Sequence, residues 1–313
     1  MYSRILSLLV QALLFSATQA QKIVLTNDDG WATAQIRAQF NSLVAAGYDV
    51  IVASPAEGKS GVGSATTHPT ALSQPCQFNT CPIGSPAEGW NASDLRLNWI
   101  NGFPVDAVSV GIETLMPRIF GSLPDLVISG PNIGSTYSYS NFDGSARGAA
   151  SEAGTEGIGF PAVAISGQFG GQVSYTTLDT DPTAGSSIAA RVYSELTTTF
   201  ANALLKSPTR PLMPQHVAVN INYNTINSGC QEVTNFRWVA TRLEPNPTAT
   251  DATLCGTTHL PPEATVMAMR GCWATMSIFD PRTKRDVSNA TMQQVVFDRL
   301  VQGGLPLFCV TSS

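Results

Sequence analysis

The chain has few charged residues, few histidines and no cluster of basic side chains. Charged residues make up 12% of its 313 residues, histidine occurs three times, and the formal net charge is −5. Without a basic surface the chain has little attraction for the phosphate backbone of DNA or RNA, which argues against a nucleic-acid polymer as a partner. A small phosphorylated ligand needs only a local positive site and stays compatible with this charge.

Long apolar runs are missing after residue 20, and the run before it is short. Residues 1–20 combine one arginine, an apolar stretch over 5–15 and small residues at 18 and 20, which is typical of a secretory signal peptide cut before Gln21. The apolar stretch is short for a membrane span. We therefore expect a secreted, extracellular protein with no membrane partner after cleavage; a retained N-terminal anchor is the alternative.

Cys-x-x-Cys pairs are absent, which makes a thiolate metal site the weaker interpretation of the cysteines. An even number of cysteines in an exported chain predicts disulfides, and all of them follow residue 20: Cys76, Cys81, Cys230, Cys255, Cys272 and Cys309. Cys76 and Cys81 would close a short loop, whereas the other pairings stay open because six cysteines permit fifteen connectivities. Sequons at Asn91 and Asn289 predict a glycoprotein.

Hydrophobic residues make up 43% of the chain, enough for a large core. In the N-terminal half, apolar strand patterns alternate with helical ones, which is typical of a parallel sheet covered on both faces. We predict an α/β fold, a three-layer doubly wound and mostly parallel sheet. Its core covers about 22–225, with an inserted disulfide-bearing excursion over about 69–99 and a C-terminal β/helical extension over about 226–313.

The predicted strands are Ile23–Thr26, Val50–Ser54, Leu126–Ser129, Ala162–Ser166 and His216–Tyr223, and a strand pair is predicted over 264–279. The predicted helices cover 36 to a stop at Gly47, 106 to about 120, 145–152, 184–205 and 291–300.

Oxygen-bearing side chains and glycines follow the first three predicted strands. The segments are Asn27–Gly30, Glu57–Gly61 and Ser129–Gly134, and ligands of an open parallel sheet bind beyond the carboxyl ends of its strands. Adjacent carboxylates at Asp28 and Asp29 repel each other unless a cation lies beside them. Carboxylate, hydroxyl and amide oxygens suit Mg²⁺, Mn²⁺ or Ca²⁺, so we predict a divalent metal site. An ordinary turn with a helix N-cap is the simpler alternative for Asp28–Gly30.

These segments, in this order, resemble the SurE survival-protein family of metal-dependent nucleotidases and acid phosphatases. The family pattern is Asn-Asp-Asp-Gly, Ser-Gly, Gly-x-Pro-x-Asp and Ser-Gly-x-Asn-x-Gly, which residues 27–30, 60–61, 102–106 and 129–134 match. The resemblance implies a Rossmann-like SurE fold whose C-terminal extension takes part in forming a homodimer or higher homo-oligomer. It also implies that the metal ligands are Asp28, Asp29, Ser60 and Asn132. The chain departs from the family at Thr136, where the family has asparagine, and in its register around Gly144.

The predicted reaction is hydrolysis of nucleoside monophosphates or other small phosphate monoesters by a water that the metal activates. Asp28 and Asp29 are the predicted catalytic residues, since both bind the metal and one of them can orient the water. Backbone N–H groups in glycine-rich loops and the start of a helix near residue 145 favour phosphate, and a guanidinium would add charge-assisted bonds. The predicted substrate-binding residues are Gly61, Gly130, Gly134, Gly144, Ser145 and Arg147.

Other functions stay open at this point. A secreted binding protein that keeps the fold and the metal but has lost turnover is one alternative. Another metal-dependent hydrolase, such as a nucleoside glycosidase, is a second, because such enzymes also use clustered aspartates. Release of free phosphate, of free base, or of neither separates the three.

Overall fold

A computed structural model of the chain describes residues 20–134, 145–155, 159–227 and 229–310. Its strands are β1 (Lys22–Thr26), β2 (Asp49–Pro55), β3 (Glu88–Asn91), β4 (Asp94–Ile100), β5 (Leu126–Ile133), β6 (Ala162–Gly167), β7 (Ala218–Tyr223), β8 (Arg237–Thr241), β9 (Trp273–Asp280) and β10 (Arg285–Asp286). Its α-helices are α1 (Ala34–Ala45), α2 (Pro104–Val110), α3 (Met116–Phe120), α4 (Ser145–Thr155), α5 (Thr177–Thr180), α6 (Gly185–Lys206), α7 (Glu263–Met267) and α8 (Ala290–Gln302). A π-helical turn at Gly111–Leu115 joins α2 to α3.

The strands form one twisted sheet in the order β10-β9-β7-β6-β5-β1-β2-β4-β3, and β8 pairs with β9 beside this path. From β4 to β7 the neighbouring strands are all parallel. Strands β3, β9 and β10 are antiparallel to a neighbour at the two sides of the sheet. The chain moves from β1 to β2 in one direction and later to β5 in the other, so the strand order reverses between β1 and β5.

Each face of β1 is covered by a different layer of helices. Ile23 and Leu25 pack in one buried cluster with Phe40 of α1 and Phe200 of α6. Val24, which points to the other face, packs in a second cluster with residues of α2 and α4. This alternation of side chains along a strand confirms the predicted doubly wound, three-layer α/β fold. No helix in the described ranges is both long and apolar enough to cross a bilayer.

The first crossover shows how the sequence sets the helix bounds. Ile36, Phe40 and Leu43 recur at helical spacing and are buried on one side of α1. Gly47 adopts a positive φ of 93° after the helix, and its N–H donates to the carbonyl of Val44 at 3.0 Å. A positive φ costs glycine little, so the chain turns there into β2.

The excursion expected over 69–99 is shorter in the structure. Residues 94–100 form β4, which pairs in parallel with β2 inside the sheet, and β3 adds an antiparallel hairpin at its edge. Leu97 and Trp99 alternate along β4 and are buried. The alternation of Leu97 and Trp99 is hard to recognise in the sequence, because the stretch before them is polar.

A second difference concerns residues 264–279, predicted as a strand pair. The structure has the helix α7 over Glu263–Met267 and the single strand β9. Alanine and methionine are good helix formers, and a short apolar run does not by itself distinguish a helix from a strand. The prolines before Glu263 and the glycine at 271 bound the segment.

Candidate active site

The loop after β1 is shaped by the side chain of Asn27. Its Nδ2 donates to the carbonyl of Gly30 at 3.1 Å, and its Oδ1 accepts from the N–H of Gly30 at 3.1 Å and from Ser54 Oγ at 3.0 Å. Asn27 therefore closes the turn on itself and fixes it to β2. Asp28 and Asp29 are thereby held at the carboxyl end of β1.

Both aspartates are buried, with 7% of Asp28 and 1% of Asp29 exposed. Asp29 Oδ2 accepts from the N–H of Ile133 at 2.6 Å, and Asp29 Oδ1 accepts from Gln172 Nε2 at 2.6 Å. Burial raises the pKa of Asp29 to about 6, although these two hydrogen bonds pull it down. A buried carboxylate beside a second one favours a neighbouring cation.

Contacts join the three predicted loops at this place. The N–H of Lys59 donates to the carbonyl of Asp28 at 2.7 Å, which brings the adjacent Ser60 to the end of β1. The N–H of Ile133 donates instead to the side-chain carboxylate of Asp29 and brings the neighbouring Asn132 to the same place. Ser60 is exposed, whereas Asn132 is buried. The loops that carry the four predicted metal ligands therefore meet at the point where the strand order reverses, the usual ligand site of such sheets. That these four side chains bind one ion stays a prediction.

A bulge in β5 lies directly before Asn132. The pairing of β5 with β6 shifts register between Ser129 and Asn132. Gly130, at φ 126°, lies against β6 so closely that a Cβ atom would come within 2.2 Å of the Ile165 carbonyl oxygen. Only glycine fits at this position, so Gly130 has a packing role in the structure.

The predicted role of Gly134 in phosphate binding needs a correction. Its N–H donates to the carbonyl of Gly167 at 2.9 Å, as part of the pairing between β5 and β6. A backbone N–H that is already bonded within the sheet is not available to a phosphate oxygen. Gly61 lies in an open part of the loop after β2, with no atom within 4 Å of a Cβ at that position.

The helix α4 begins next to the loop that carries Ser60. A Cβ on Gly148 would lie 2.3 Å from the carbonyl oxygen of Gly63, so the first turn of α4 touches that loop. Ser145 is the first residue of α4, and Gly144 lies outside the described residues.

Arg147 is buried, with 1% exposed, and its guanidinium lies 5.9 Å from the Phe279 ring. Burial lowers the pKa of Arg147, and attraction to Glu263 and Asp286 opposes this. Arg147 therefore faces acidic groups of the C-terminal extension, and its assignment to phosphate binding stays a prediction.

Two glutamines at the site carry no recognisable sequence signal. Gln172 contacts the Asp29 carboxylate from the loop after β6, and Gln77 donates to the Asp29 carbonyl at 2.8 Å from the segment between Cys76 and Cys81. Both lie in polar stretches without periodicity. Only their contacts reveal them.

The donor atoms present suit a hard divalent cation. Asn132 Oδ1 is buried without a hydrogen-bond partner among the described residues, an arrangement that costs free energy unless a ligand or ion binds there. Over the same ranges, no group of three or more His, Cys, Asp and Glu side chains is placed to hold a metal. The predicted site has two carboxylates, a hydroxyl and an amide, so it is of a different kind.

Fold and site together define a class: a doubly wound α/β protein with buried carboxylates at the switch point of its sheet. The family model described as survival protein SurE matches residues 23–246. The chain belongs to the SurE family, as its motifs predict.

Relatives and a solved structure agree with this assignment. An acid phosphatase of Yarrowia lipolytica is 29% identical over 290 residues, covering 82% of this chain and 78% of the relative. A 5'-nucleotidase SurE of Methanococcoides burtonii is 36% identical over 148 residues, 47% of this chain and 49% of the relative. The crystal structure of the SurE protein from Aquifex aeolicus shares the fold, with a TM-score of 0.53 and 16% identity over 88% of this chain and 98% of that one.

Proposed function

We propose that the protein is a secreted, metal-dependent phosphomonoesterase that hydrolyses nucleoside monophosphates or other small phosphate monoesters. The observation that carries the proposal is the meeting of Asp28, Asp29 and Asn132 with the loop of Ser60 at the switch point. Membership of the SurE family and likeness to proteins named acid phosphatase and 5'-nucleotidase support it.

Asp28, Asp29, Ser60 and Asn132 would hold Mg²⁺ or Mn²⁺, and Ca²⁺ also suits their oxygen atoms. A bound ion of this kind supplies Lewis-acid polarisation of a phosphoryl oxygen and lowers the pKa of water. The two buried aspartates would supply the negative charge of the site, and one of them would accept a proton or orient a water. The amide of Asn132 and the hydroxyl of Ser60 contribute neutral oxygens.

The phosphate group would be bound by backbone N–H groups and by the start of α4. Gly61 follows Ser60 in an open loop, and Gly148 in the first turn of α4 lies against Gly63 of that loop. This contact supports the proposal that the Gly61 N–H and the helix start at Ser145 both bind the phosphate. Gly144 is part of this proposal from the sequence pattern alone. Of the proposed phosphate ligands, Arg147 has the least support, because its buried guanidinium is attracted to Glu263 and Asp286 inside the molecule.

Secretion and oligomer formation are further parts of the proposal. The cysteines form three pairs at disulfide distance, Cys76–Cys81, Cys230–Cys272 and Cys255–Cys309, which is compatible with an extracellular protein. The pattern of residues 1–20 and the sequons at Asn91 and Asn289 support export and glycosylation. A homodimer rests on the family resemblance.

The first test measures phosphate release by the purified protein after EDTA treatment and after addition of Mg²⁺ or Mn²⁺. Substrates are 5'- and 3'-nucleoside monophosphates and p-nitrophenyl phosphate, at about pH 5 and about pH 7 to cover both protonation states of an acidic site. We expect release only with metal. Release of free base would favour the glycosidase alternative, and no product from a folded, metal-loaded protein would favour the binding protein.

Replacing one ligand tests the site itself. Loss of a group that only hydrogen-bonds to a metal ligand lowers metal affinity or activity by about 10- to 100-fold. Because Asp28 is a proposed ligand itself, Asp28→Asn should lower kcat/KM by at least about 100-fold and weaken metal binding while the chain stays folded. Asp179→Asn is the matched control, since Asp179 is exposed on α5. Full turnover by Asp28→Asn, or turnover by the metal-free wild type, would contradict the mechanism.

A further inference from the structure

Gln172 is the side chain that contacts the carboxylate of Asp29. Its Nε2 donates to Asp29 Oδ1 at 2.6 Å, while the backbone N–H of Ile133 donates to Oδ2 at 2.6 Å. The two donors approach different oxygens, so together they fix both the position and the rotation of the carboxylate. Each carboxylate oxygen has about two lone-pair sites, so one hydrogen bond at Oδ1 leaves room for a further ligand there.

The backbone around Gln172 is held against the start of α1. The N–H of Ala34 donates to the carbonyl of Val173 at 3.0 Å, and the N–H of Tyr175 donates to the carbonyl of Ala32 at 3.0 Å. Thr33 and Ser174 form an antiparallel bridge between these two bonds. The segment that carries Gln172 is therefore paired with the residues that directly follow Asp28–Gly30.

A cationic side chain reinforces this pairing. The guanidinium of Arg37 on α1 lies 4.7 Å from the Trp31 ring and 4.5 Å from the Tyr175 ring, and its Nε donates to the Trp31 carbonyl at 3.0 Å. Tyr175 belongs to the Gln172 segment and Trp31 to the loop of the aspartates. Arg37 thus connects the two segments, because a guanidinium over an aromatic ring is attracted to the ring face.

We propose that Gln172 is a positioning residue, which holds the Asp29 carboxylate in the orientation that binds the divalent metal. This inference rests on the proposed function. A neutral amide suits the task because it donates a hydrogen bond without adding a positive charge that would repel the metal. Removing a group that hydrogen-bonds to a metal ligand and orients it typically lowers the metal affinity by about 10- to 100-fold.

The test measures binding of Mn²⁺ alone by isothermal titration calorimetry. Gln172→Met keeps the length of the side chain and removes the amide, and Gln74→Met is the control, because Gln74 is exposed on the polar stretch before Cys76. We expect Gln172→Met to raise the Kd for Mn²⁺ by about 10-fold or more. Its circular dichroism spectrum in EDTA should match that of the control, because Gln172 is itself exposed and its loss removes one hydrogen bond to Asp29 without unfolding the chain.

The outcomes separate this inference from the proposed function. An unchanged Kd for Mn²⁺ in Gln172→Met would overturn the inference, and a higher KM with that unchanged Kd would show that Gln172 contacts the substrate instead. A wild-type protein that fails to bind Mn²⁺, or that binds it equally well after Asp28→Asn, would overturn the proposed metal site itself. Loss of the native circular dichroism spectrum by Gln172→Met in EDTA would indicate a structural role and also overturn the inference.

Discussion

One buried acid of the C-terminal extension, Glu263, attracts Arg147 of α4. It is 1% exposed and accepts hydrogen bonds from Asn220 Nδ2 at 3.1 Å and from Ser277 Oγ at 3.0 Å. Burial raises the pKa of Glu263 to about 8, although attraction to Arg147 and these hydrogen bonds pull it down. Within the folded protein the proton therefore stays on Glu263 far above its ordinary pKa of 4.5.

This shift predicts a pH-dependent stability. Between about pH 4.5 and about pH 8 the folded state binds the Glu263 proton and the unfolded chain does not, so the free energy of unfolding falls as the pH rises. The stabilisation that comes from the raised pKa of Glu263 is complete below about pH 4.5 and lost above about pH 8. Glu263→Gln, which cannot titrate, should therefore show a smaller fall in Tm across the window than the wild type, as measured in EDTA by circular dichroism.

Glu113→Gln is the control for this prediction, because Glu113 is exposed on the turn between α2 and α3. It should keep the pH dependence of the wild type. An equal fall in Tm for wild type and Glu263→Gln would show that Glu263 has no raised pKa in the folded protein.

Among the elements, the segment between Cys76 and Cys81 also holds the loop of the aspartates in place. Gln77 donates from its backbone to the Ala56 carbonyl at 3.0 Å and from its side chain to the Asp29 carbonyl at 2.8 Å. Trp31 Nε1 donates to Thr80 Oγ1 at 3.1 Å. This disulfide therefore supports the site, whereas the other two lie in the C-terminal part of the chain.

We predict that the short disulfide matters more for activity than for stability. By chain entropy, removal of Cys76–Cys81, with a separation of 5, costs roughly 2 kcal/mol, and removal of Cys255–Cys309, with a separation of 54, costs roughly 4 kcal/mol. Replacing the first pair by serines should lower kcat/KM more than replacing the second. The measurements are urea unfolding and phosphate release on the same preparations. A larger fall in kcat/KM on replacing Cys255–Cys309 than on replacing Cys76–Cys81 would contradict the idea that the short disulfide supports the site.

For the whole molecule, the site joins parts of the chain that are far apart in sequence. Asp29 and Ile133 are separated by 104 residues, and Asp29 and Gln172 by 143. A metal held by these loops binds only the folded protein, because the unfolded chain does not bring its ligands together. Binding and global stability are therefore linked.

The linkage gives a prediction for metal addition and removal. At a free Mn²⁺ concentration of 100 times the Kd, the free energy of unfolding should rise by about 2.7 kcal/mol, and EDTA should reverse the rise. Asp28→Asn should show little or no shift under the same conditions. Differential scanning calorimetry with and without metal measures the effect, and an equal shift in wild type and Asp28→Asn would place the stabilising ion elsewhere.

Local pattern was enough to predict most of the fold. Apolar runs at β1, β2 and β5 and the spacing of Ile36, Phe40 and Leu43 specify strands and a helix without reference to distant residues. A short apolar run suits both a helix and a strand, and in α7 the local sequence does not distinguish between the two. The polar composition before β4 likewise concealed a strand of the central sheet.

By itself, the sequence determined the α/β class, the family motifs and the aspartates at the end of β1, because these depend on residue types at short spacing. Only the tertiary structure decided that Gln172 and Gln77 contact Asp29, that the Gly134 N–H is already bonded to the Gly167 carbonyl, and that Arg147 faces acidic groups of the C-terminal extension. Such contacts join residues far apart in the chain, and their geometry follows from strand register and helix packing. Neither leaves a periodic signal in the sequence.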